Sequence, residues 1–340
     1  MWFVDHFMGF IPEAIWTPDV TPLAERFSSP HVFLEPYAMM AASATLTEHI
    51  KIGTSVTDAI RRHPVLIAQS FMTLHHLSGG RIILGIGSGE RENTEPYDIP
   101  YSQRFSRTHE CLEIIRLMWE SKGPVNFNGR FWKLRNAVLA LKPAKGENPP
   151  PIWIAAHGPR MLKTAAEFGD GWLPIALSPR EYATGYSAIQ KERHRLSRDH
   201  LAFIGGLWAW VILDPEHEEC HRIMNSPLGR FYALMLPPER WQRLHFTHPL
   251  GGMNILTDFV PTRYGREEIL RAIEQVPPEI THEFYVHGNT DDILKTMLEY
   301  KRAGLKHIIL GNMTSTFDPE KTRSSYGLMK DILDFVKGSR

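Results

Sequence analysis

The 340 residues are 43% hydrophobic and 22% charged, a composition that suits one large α/β domain or two ordinary ones with a substantial core. Because 38 basic side chains face 38 acidic ones with no long like-charge run, no electrostatic footprint for nucleic acid or an anionic membrane is present. No stretch approaches the roughly 18 apolar residues of a membrane span, and two distant cysteines, Cys111 and Cys220, argue against a disulfide framework or a zinc site, so a reducing cytoplasm is the expected setting.

In chain order, short β-branched or aromatic runs alternate with amphipathic segments. A strand is expected at 2–5, a helix at 36–47, a strand at 52–56 and a helix at 64–77. Pro64 suits the first helical position, and Gly79 and Gly80 in "LSGGR" suit left-handed caps. A strand at 82–86 precedes a helix at 105–120, and "VNFNGRFWKLRNAVL" at 125–139 reads as a hairpin turning at Asn128-Gly129. Strand 152–155 and helix 159–168 follow, then strand 171–173, helix 179–195 and strand 203–213. Helices at 266–275 and 291–303, a strand at 308–310 and a helix near 325–336 complete the chain.

Such alternation predicts a parallel sheet and the α/β class. Seven strands are one short of a (β/α)8 TIM barrel, and "WFVDH" begins as if in mid-barrel, so a first β/α unit of about 30 residues is expected to be lacking. No linker divides the chain, and a single domain over 1–340 is expected. Two long loops interrupt the alternation: 7–34, with Phe7, Phe10, Ile11, Ile15 and Trp16, and 226–264, with Phe231, Leu236, Trp241, Phe246 and Leu250. Loops of this length in a compact domain are commonly lids or binding elements.

In a β/α barrel the reacting groups follow the strands. The first strand ends in Asp5-His6: an imidazole there exchanges protons near neutral pH, and the Asp can fix its tautomer or bind a ligand donor. After the second strand, Gly53, Thr54, Ser55 and Thr57 offer close backbone approach and hydroxyl groups to a planar ligand, or simply a tight turn. The third delivers "LGIGSGEREN". Its Gly85, Gly87 and Gly89 lack the spacing of a dinucleotide fingerprint, and no helix opens directly behind them. Alternating glycines leave one strand face bare, so either something flat lies there with Glu90 at its rim, or the strand end is merely softened and "EREN" is solvated. After the fourth, His157-Gly158-Pro159 opens a helix whose free N–H groups, with Arg160, suit a phosphate. No metal is expected: there is no His-Glu-x-x-His, and "EHEEC" at 216–220 reads as the solvated start of a helix.

Taken together, "VDH" at 4–6, "GTSV…RRHPVLIAQSFMTLHHLSGGRIILGIGSGE" at 53–90 and "IAAHGPRMLKTAAEFGDGW" at 154–172 resemble the bacterial luciferase-like superfamily. Within it they are most similar to the branch that depends on the deazaflavin coenzyme F420, and there to the phthiodiolone ketoreductases, with "GERENTEPY" and "HPLGGMNILTDFVP" at 248–261 adding to the likeness. The resemblance implies a (β/α)8 barrel that binds F420, with FMN as the alternative. Asp5 and the stretch Thr54, Ser55, Val56 and Thr57 would lie against the ring, often with a non-proline cis peptide there. Gly87, Ser88 and Gly89 would adjoin it, and Ala156, His157, Gly158, Pro159 and Arg160 would hold the tail. His6 and Glu90 match the acid/base positions. Hydride transfer between C5 of the reduced deazaflavin and a carbonyl is then the expected chemistry, by a cytoplasmic homodimer.

No basic cluster for a sugar phosphate is found in 226–285, which disfavours glucose 6-phosphate. The apolar residues of the two loops suit a lipophilic small molecule, or equally a core beneath the loops or a dimer interface. A reduced-flavin monooxygenase using FMN and oxygen, and a non-catalytic barrel that binds a flavin or a partner, stand as the other readings.

Overall fold

Prolines and glycines set the helix ends where the sequence places them. In the computed structural model, which describes residues 1–338, the helix Pro64–Ser78 opens on Pro64, with His63 Nδ1 accepting the Val65 N–H at 3.2 Å. It closes on Gly79 at φ +60°, whose N–H returns to the His75 and His76 carbonyls. A fixed φ at the start and a residue free of the Cβ penalty at the end are the usual physical reasons for such boundaries. The helix Pro159–Phe168 matches its expected bounds, and Pro36–Leu46, Arg104–Glu120 and Pro179–Arg195 match to within a residue.

The chain divides into two compact units, residues 1–7, 33–174 and 185–206, and residues 8–32, 175–184 and 207–340. In the first, parallel strands run in the order Trp2–Phe3, Ile52–Thr54, Ile82–Gly87, Ile152–Ile154, Gly171–Trp172 and the opening residues of Ile204–Leu213. Ile52, Ile82, Leu84, Ile86, Ile152 and Ile154 are buried, as expected of strands covered on both faces. The second strand is shorter than expected: it ends at Thr54, the Ser55–Val56 peptide bond is cis, and Thr57–Asp58 pairs anew with Ile86 and Gly87. The cis bond falls where the resemblance implies one.

Two local expectations change. The hairpin Val125–Asn128 with Lys133–Ala137 turns through four residues, 129–132, rather than at Asn128-Gly129 alone. Its wider tip wraps the buried Glu110 carboxylate, which accepts the N–H groups of Arg130, Phe131 and Trp132 at 2.7–3.2 Å. The bare strand face is filled by the chain itself: a Cβ on Gly85 would stand 1.8 Å from the Thr54 carbonyl oxygen, and one on Gly87 would meet Val56 at 3.1 Å. The alternating glycines thus let the Thr54–Val56 backbone lie close against the third strand. Gly85→Ala, meeting backbone rather than a movable side chain, is expected to destabilise by at least about 3 kcal/mol, read as a lowered urea midpoint.

In the second unit the remainder of Ile204–Leu213 pairs with Val286–Gly288, in parallel, and with His307–Asn312. Val286–Gly288 is a strand absent from the sequence expectation. The two long loops are helical in part, with short helices at Glu13–Ile15 and Pro22–Glu25, and at Pro227–Ala233, Pro238–Arg243 and Ile255–Asp258. Their apolar residues Ile11, Ile15, Phe231, Leu236 and Trp241 are buried in one core cluster. Each such large side chain contributes roughly 2–3 kcal/mol by burial, so the reading of these residues as packing beneath the loops prevails over a lipophilic pocket.

Candidate active site

Within the first unit, four parallel strands deliver the sequence-predicted residues at their C-terminal ends, where β/α folds place their chemistry. Asp5 and His6 follow Trp2–Phe3, Ser55 to Thr57 follow Ile52–Thr54, Ser88 to Glu90 follow Ile82–Gly87, and Ala156 to Arg160 follow Ile152–Ile154. Gly89, at φ +79°, turns the third strand into the segment that carries Glu90.

Asp5 does not orient His6. Its carboxylate is 3% exposed and lies 3.0 Å from Arg61 Nη2 and 2.5 Å from Arg62 Nη1, and it accepts the Thr57 hydroxyl at 2.6 Å. Burial, the largest single influence, pushes this carboxyl up, but the two guanidinium groups and the hydroxyl outweigh it and hold it below the ordinary range. Arg61 is also paired with Asp58 and stacks over Phe7. Thr54 is likewise engaged within the protein, donating to the Gly85 carbonyl at 2.7 Å. Buried polar atoms of this site without a hydrogen-bond partner include Ser55 Oγ, Arg61 Nη1 and, in the adjoining acidic segment, Glu92 Oε2. Unsatisfied buried groups of this kind call for a ligand or water.

His6 is positioned instead by Asn93. The Phe7 backbone N–H donates to Asn93 Oδ1 at 2.7 Å, which fixes the amide. Its Nδ2 then donates to His6 Nδ1 at 2.8 Å and reaches Glu90 Oε2 and Glu92 Oε1 at 3.2 Å each. Assigned from this network, the neutral imidazole accepts at Nδ1 and carries its proton on Nε2. Glu90 Oε2 and Glu92 Oε1 stand 3.7 and 3.9 Å from His6 Nδ1.

Sequence reasoning singled out Glu90 and passed over Glu92. Glu90 is about one-third exposed, whereas Glu92 is fully buried, as are Asn93 and Thr94, so "EREN" is not a solvated run. Burial first, and the neighbouring Glu90 charge second, push the Glu92 carboxyl well above the ordinary range. Glu92 therefore keeps its proton to higher pH than an ordinary carboxyl does. Beside this cluster the exposed aromatic groups Phe7, Phe33 and Tyr97 form a rim, with the Phe33 ring 5.4 Å from His6 and Tyr97 4.8 Å from Phe7.

His157, Gly158, Pro159 and Arg160 are exposed, and Ala156 is buried beneath them. Gly158 caps the helix Pro159–Phe168 with no side-chain hydrogen bond, and a Cβ there would meet nothing within 4 Å. The first N–H groups of this helix are therefore open to an anion. Arg160 extends over Phe105 and toward Ser106, and Arg104 stacks on Phe105 and Tyr101. A cavity of about 410 Å³, lined by Arg91, Glu95, Tyr101 and Ser102 among others, adjoins the segment that carries Glu90.

A family profile described as luciferase-like monooxygenase matches residues 16–307. Phthiodiolone/phenolphthiodiolone dimycocerosates ketoreductase of Mycobacterium tuberculosis (strain ATCC 25618 / H37Rv) is 31% identical over 316 residues, covering 92% of this chain and 83% of the relative. The 5,10-methylenetetrahydromethanopterin reductase of Archaeoglobus fulgidus is 27% identical, covering 94% and 92%. Among solved structures, an F420-dependent secondary alcohol dehydrogenase in complex with an F420–acetone adduct superposes with a TM-score of 0.71 at 23% identity, over 92% of this chain and 83% of that one. The fold is accordingly the α/β, TIM-barrel type of these proteins, and the chain belongs to the luciferase-like family, as an oxidoreductase similar to its F420-dependent branch.

Proposed function

We propose that this protein is an F420-dependent ketoreductase acting on a small carbonyl compound with an apolar substituent. The observation that carries the reading is the His6–Asn93–Glu90/Glu92 cluster, a proton-bearing imidazole backed by a buried, proton-retaining carboxyl at the end of a parallel strand. The relatives named as a ketoreductase and a methylenetetrahydromethanopterin reductase support it, as does the neighbour named for F420.

The residues present fit such a coenzyme. Ser55 Oγ and Arg61 Nη1 are donors in need of an acceptor, as the carbonyl edge of a flat ring would provide. The uncapped helix start at Gly158, with Arg160, suits a phosphate-bearing tail. When bound, reduced F420 would supply the hydride to the carbonyl carbon. The chain supplies the rest. His6 Nε2 gives its proton to the developing alkoxide, Glu92 holds the proton that restores the ring at Nδ1 once the Asn93 amide releases that nitrogen, and Glu90, partly exposed, links the cluster to solvent. Phe7, Phe33 and Tyr97 offer the substrate an apolar rim that keeps water from the reacting carbon. The resemblance also supports a cytoplasmic homodimer, and light scattering should read the mass of two chains.

The test is to mix anaerobic protein with reduced F420 and a series of methyl ketones of increasing chain length, following deazaflavin oxidation. Oxidation that depends on ketone, with kcat/KM rising with chain length, is expected. Tightly bound FMN in the purified protein, with no response to F420, would favour the monooxygenase reading that the family description carries and would overturn this one.

A further inference from the structure

The second unit holds a group of histidines that the proposed chemistry does not use. His217 and His221 lie one helical turn apart on the helix His217–Met224, so both point from one face. His287 comes from the strand Val286–Gly288, and one ring nitrogen from each of the three lies within 4.8 Å of one from the other two. The His282 ring packs 4.5 Å from that of His221 and 4.9 Å from that of His287.

The outer contacts of these rings are what make them a site. His217 Nδ1 lies 3.0 Å from Asp292 Oδ2, His287 Nδ1 lies 3.2 Å from the Tyr285 carbonyl, and His221 Nδ1 faces Glu218 at 3.6 Å. For His217 and His287 the oxygen bonded to Nδ1 fixes the tautomer and leaves the Nε2 lone pair free, the arrangement that accompanies metal-bound histidine. His221 Nε2 is buried and has no hydrogen-bond partner, a second and independent sign that something is to be bound there. Ligand nitrogens in a tetrahedral zinc shell stand about 3.4 Å apart, so a modest swing of the rings, easiest for the exposed His217, closes the set.

We propose that His217, His221 and His287 bind one divalent transition-metal ion of the zinc class, with Asp292, Glu218 and the Tyr285 carbonyl as the outer partners that orient them. An all-imidazole set suits such borderline ions and not calcium or magnesium. The fourth position falls to water. The ion would tie a helix that follows one strand to another strand far along the chain, so its first effect is to stabilise this unit. Sequence reading saw only the helical start at 216–220; the third ligand lies in the strand it did not predict.

Chelator-stripped, untagged full-length protein is titrated with Co²⁺, followed by its visible d–d absorption, and then with Zn²⁺ in competition. One Co²⁺ per chain, intense bands of low coordination number, displacement by Zn²⁺ and a raised melting midpoint are expected. His217→Ala, at an exposed position, and His287→Gln should each weaken binding at least about 10-fold, while His49→Ala, at an exposed histidine elsewhere, leaves it unchanged. If His287→Gln fails to fold, His217→Ala decides alone. Absence of saturable binding, or binding unaltered in His217→Ala, overturns the proposal, and in the latter case the His6, Glu90 and Glu92 group becomes the place to look.

Discussion

Glu92→Gln is expected to lower the rate of hydride transfer by about 10²–10⁴-fold while raising thermal stability at neutral pH. Catalysis suffers because glutamine keeps the shape of the side chain but cannot release a proton to His6. Stability moves the other way for the same reason that the carboxyl is useful. Burial and the Glu90 charge raise its folded-state pKa above the ordinary value. The stability due to this group is thus fully present below that ordinary value and lost as pH rises through the folded one. A neutral glutamine escapes that loss. Melting curves across pH should show the variant gaining on the wild type as pH increases, and the alkaline limb of the wild-type rate profile should flatten in the variant. A variant that is less stable at every pH and fully active would sink the assignment.

Asp5→Ala is expected to cost about 3 kcal/mol, the lower end of the usual penalty for breaking a buried ion pair, because each arginine keeps a second carboxylate. Arg61 is 2% exposed and Arg62 16%, and both pair with this carboxylate, though Arg61 also meets Asp58 and Arg62 also meets Glu35. Burial opposes ionisation of Asp5 but the two arginines and Thr57 prevail, so its folded pKa is lowered. Its contribution is therefore present above the ordinary carboxylate value and is lost as pH falls through the lowered one. Urea midpoints measured from neutral to acid pH should show the gap between wild type and Asp5→Ala closing at the acid end. A gap that is small and independent of pH would mean that Asp58 and Glu35 suffice for the two arginines.

How much of this was legible in the sequence follows from what is local. Pro64, Pro159 and the Gly79-Gly80 pair fix helix ends through backbone sterics alone, and those ends were read correctly. Ser226-Pro227 and Pro237-Pro238 carried the same kind of signal for the helices in the second long loop, but the segment reads as a long loop whose apolar residues suit a lipophilic ligand, a core or a dimer interface equally. Val286–Gly288 offered three residues, one of them apolar, which is too short for a period to show. At the site, His6 and Glu90 could be picked out because they stand at strand ends. Glu92 and Asn93 could not, since within "EREN" nothing local separates a buried carboxyl from a solvated one. Their burial is a tertiary fact, as are the pairings of Asp5 with Arg61 and Arg62. The adjacent arginines in "AIRRHP", directly behind a strand, were the available hint that a buried acid was needed nearby.

The central claim is that a hydride passes from a reduced deazaflavin to a carbonyl carbon in a site served by His6. It is tested most directly by supplying reduced F420 that carries deuterium at both C5 positions, anaerobically, together with a ketone substrate, and locating the label by mass spectrometry and NMR. One deuterium on the carbinol carbon of each product molecule, with the yield per unit time falling sharply in His6→Ala, is the predicted result. Unlabelled alcohol, or a product that forms only with oxygen present and contains an atom of it, would contradict the account.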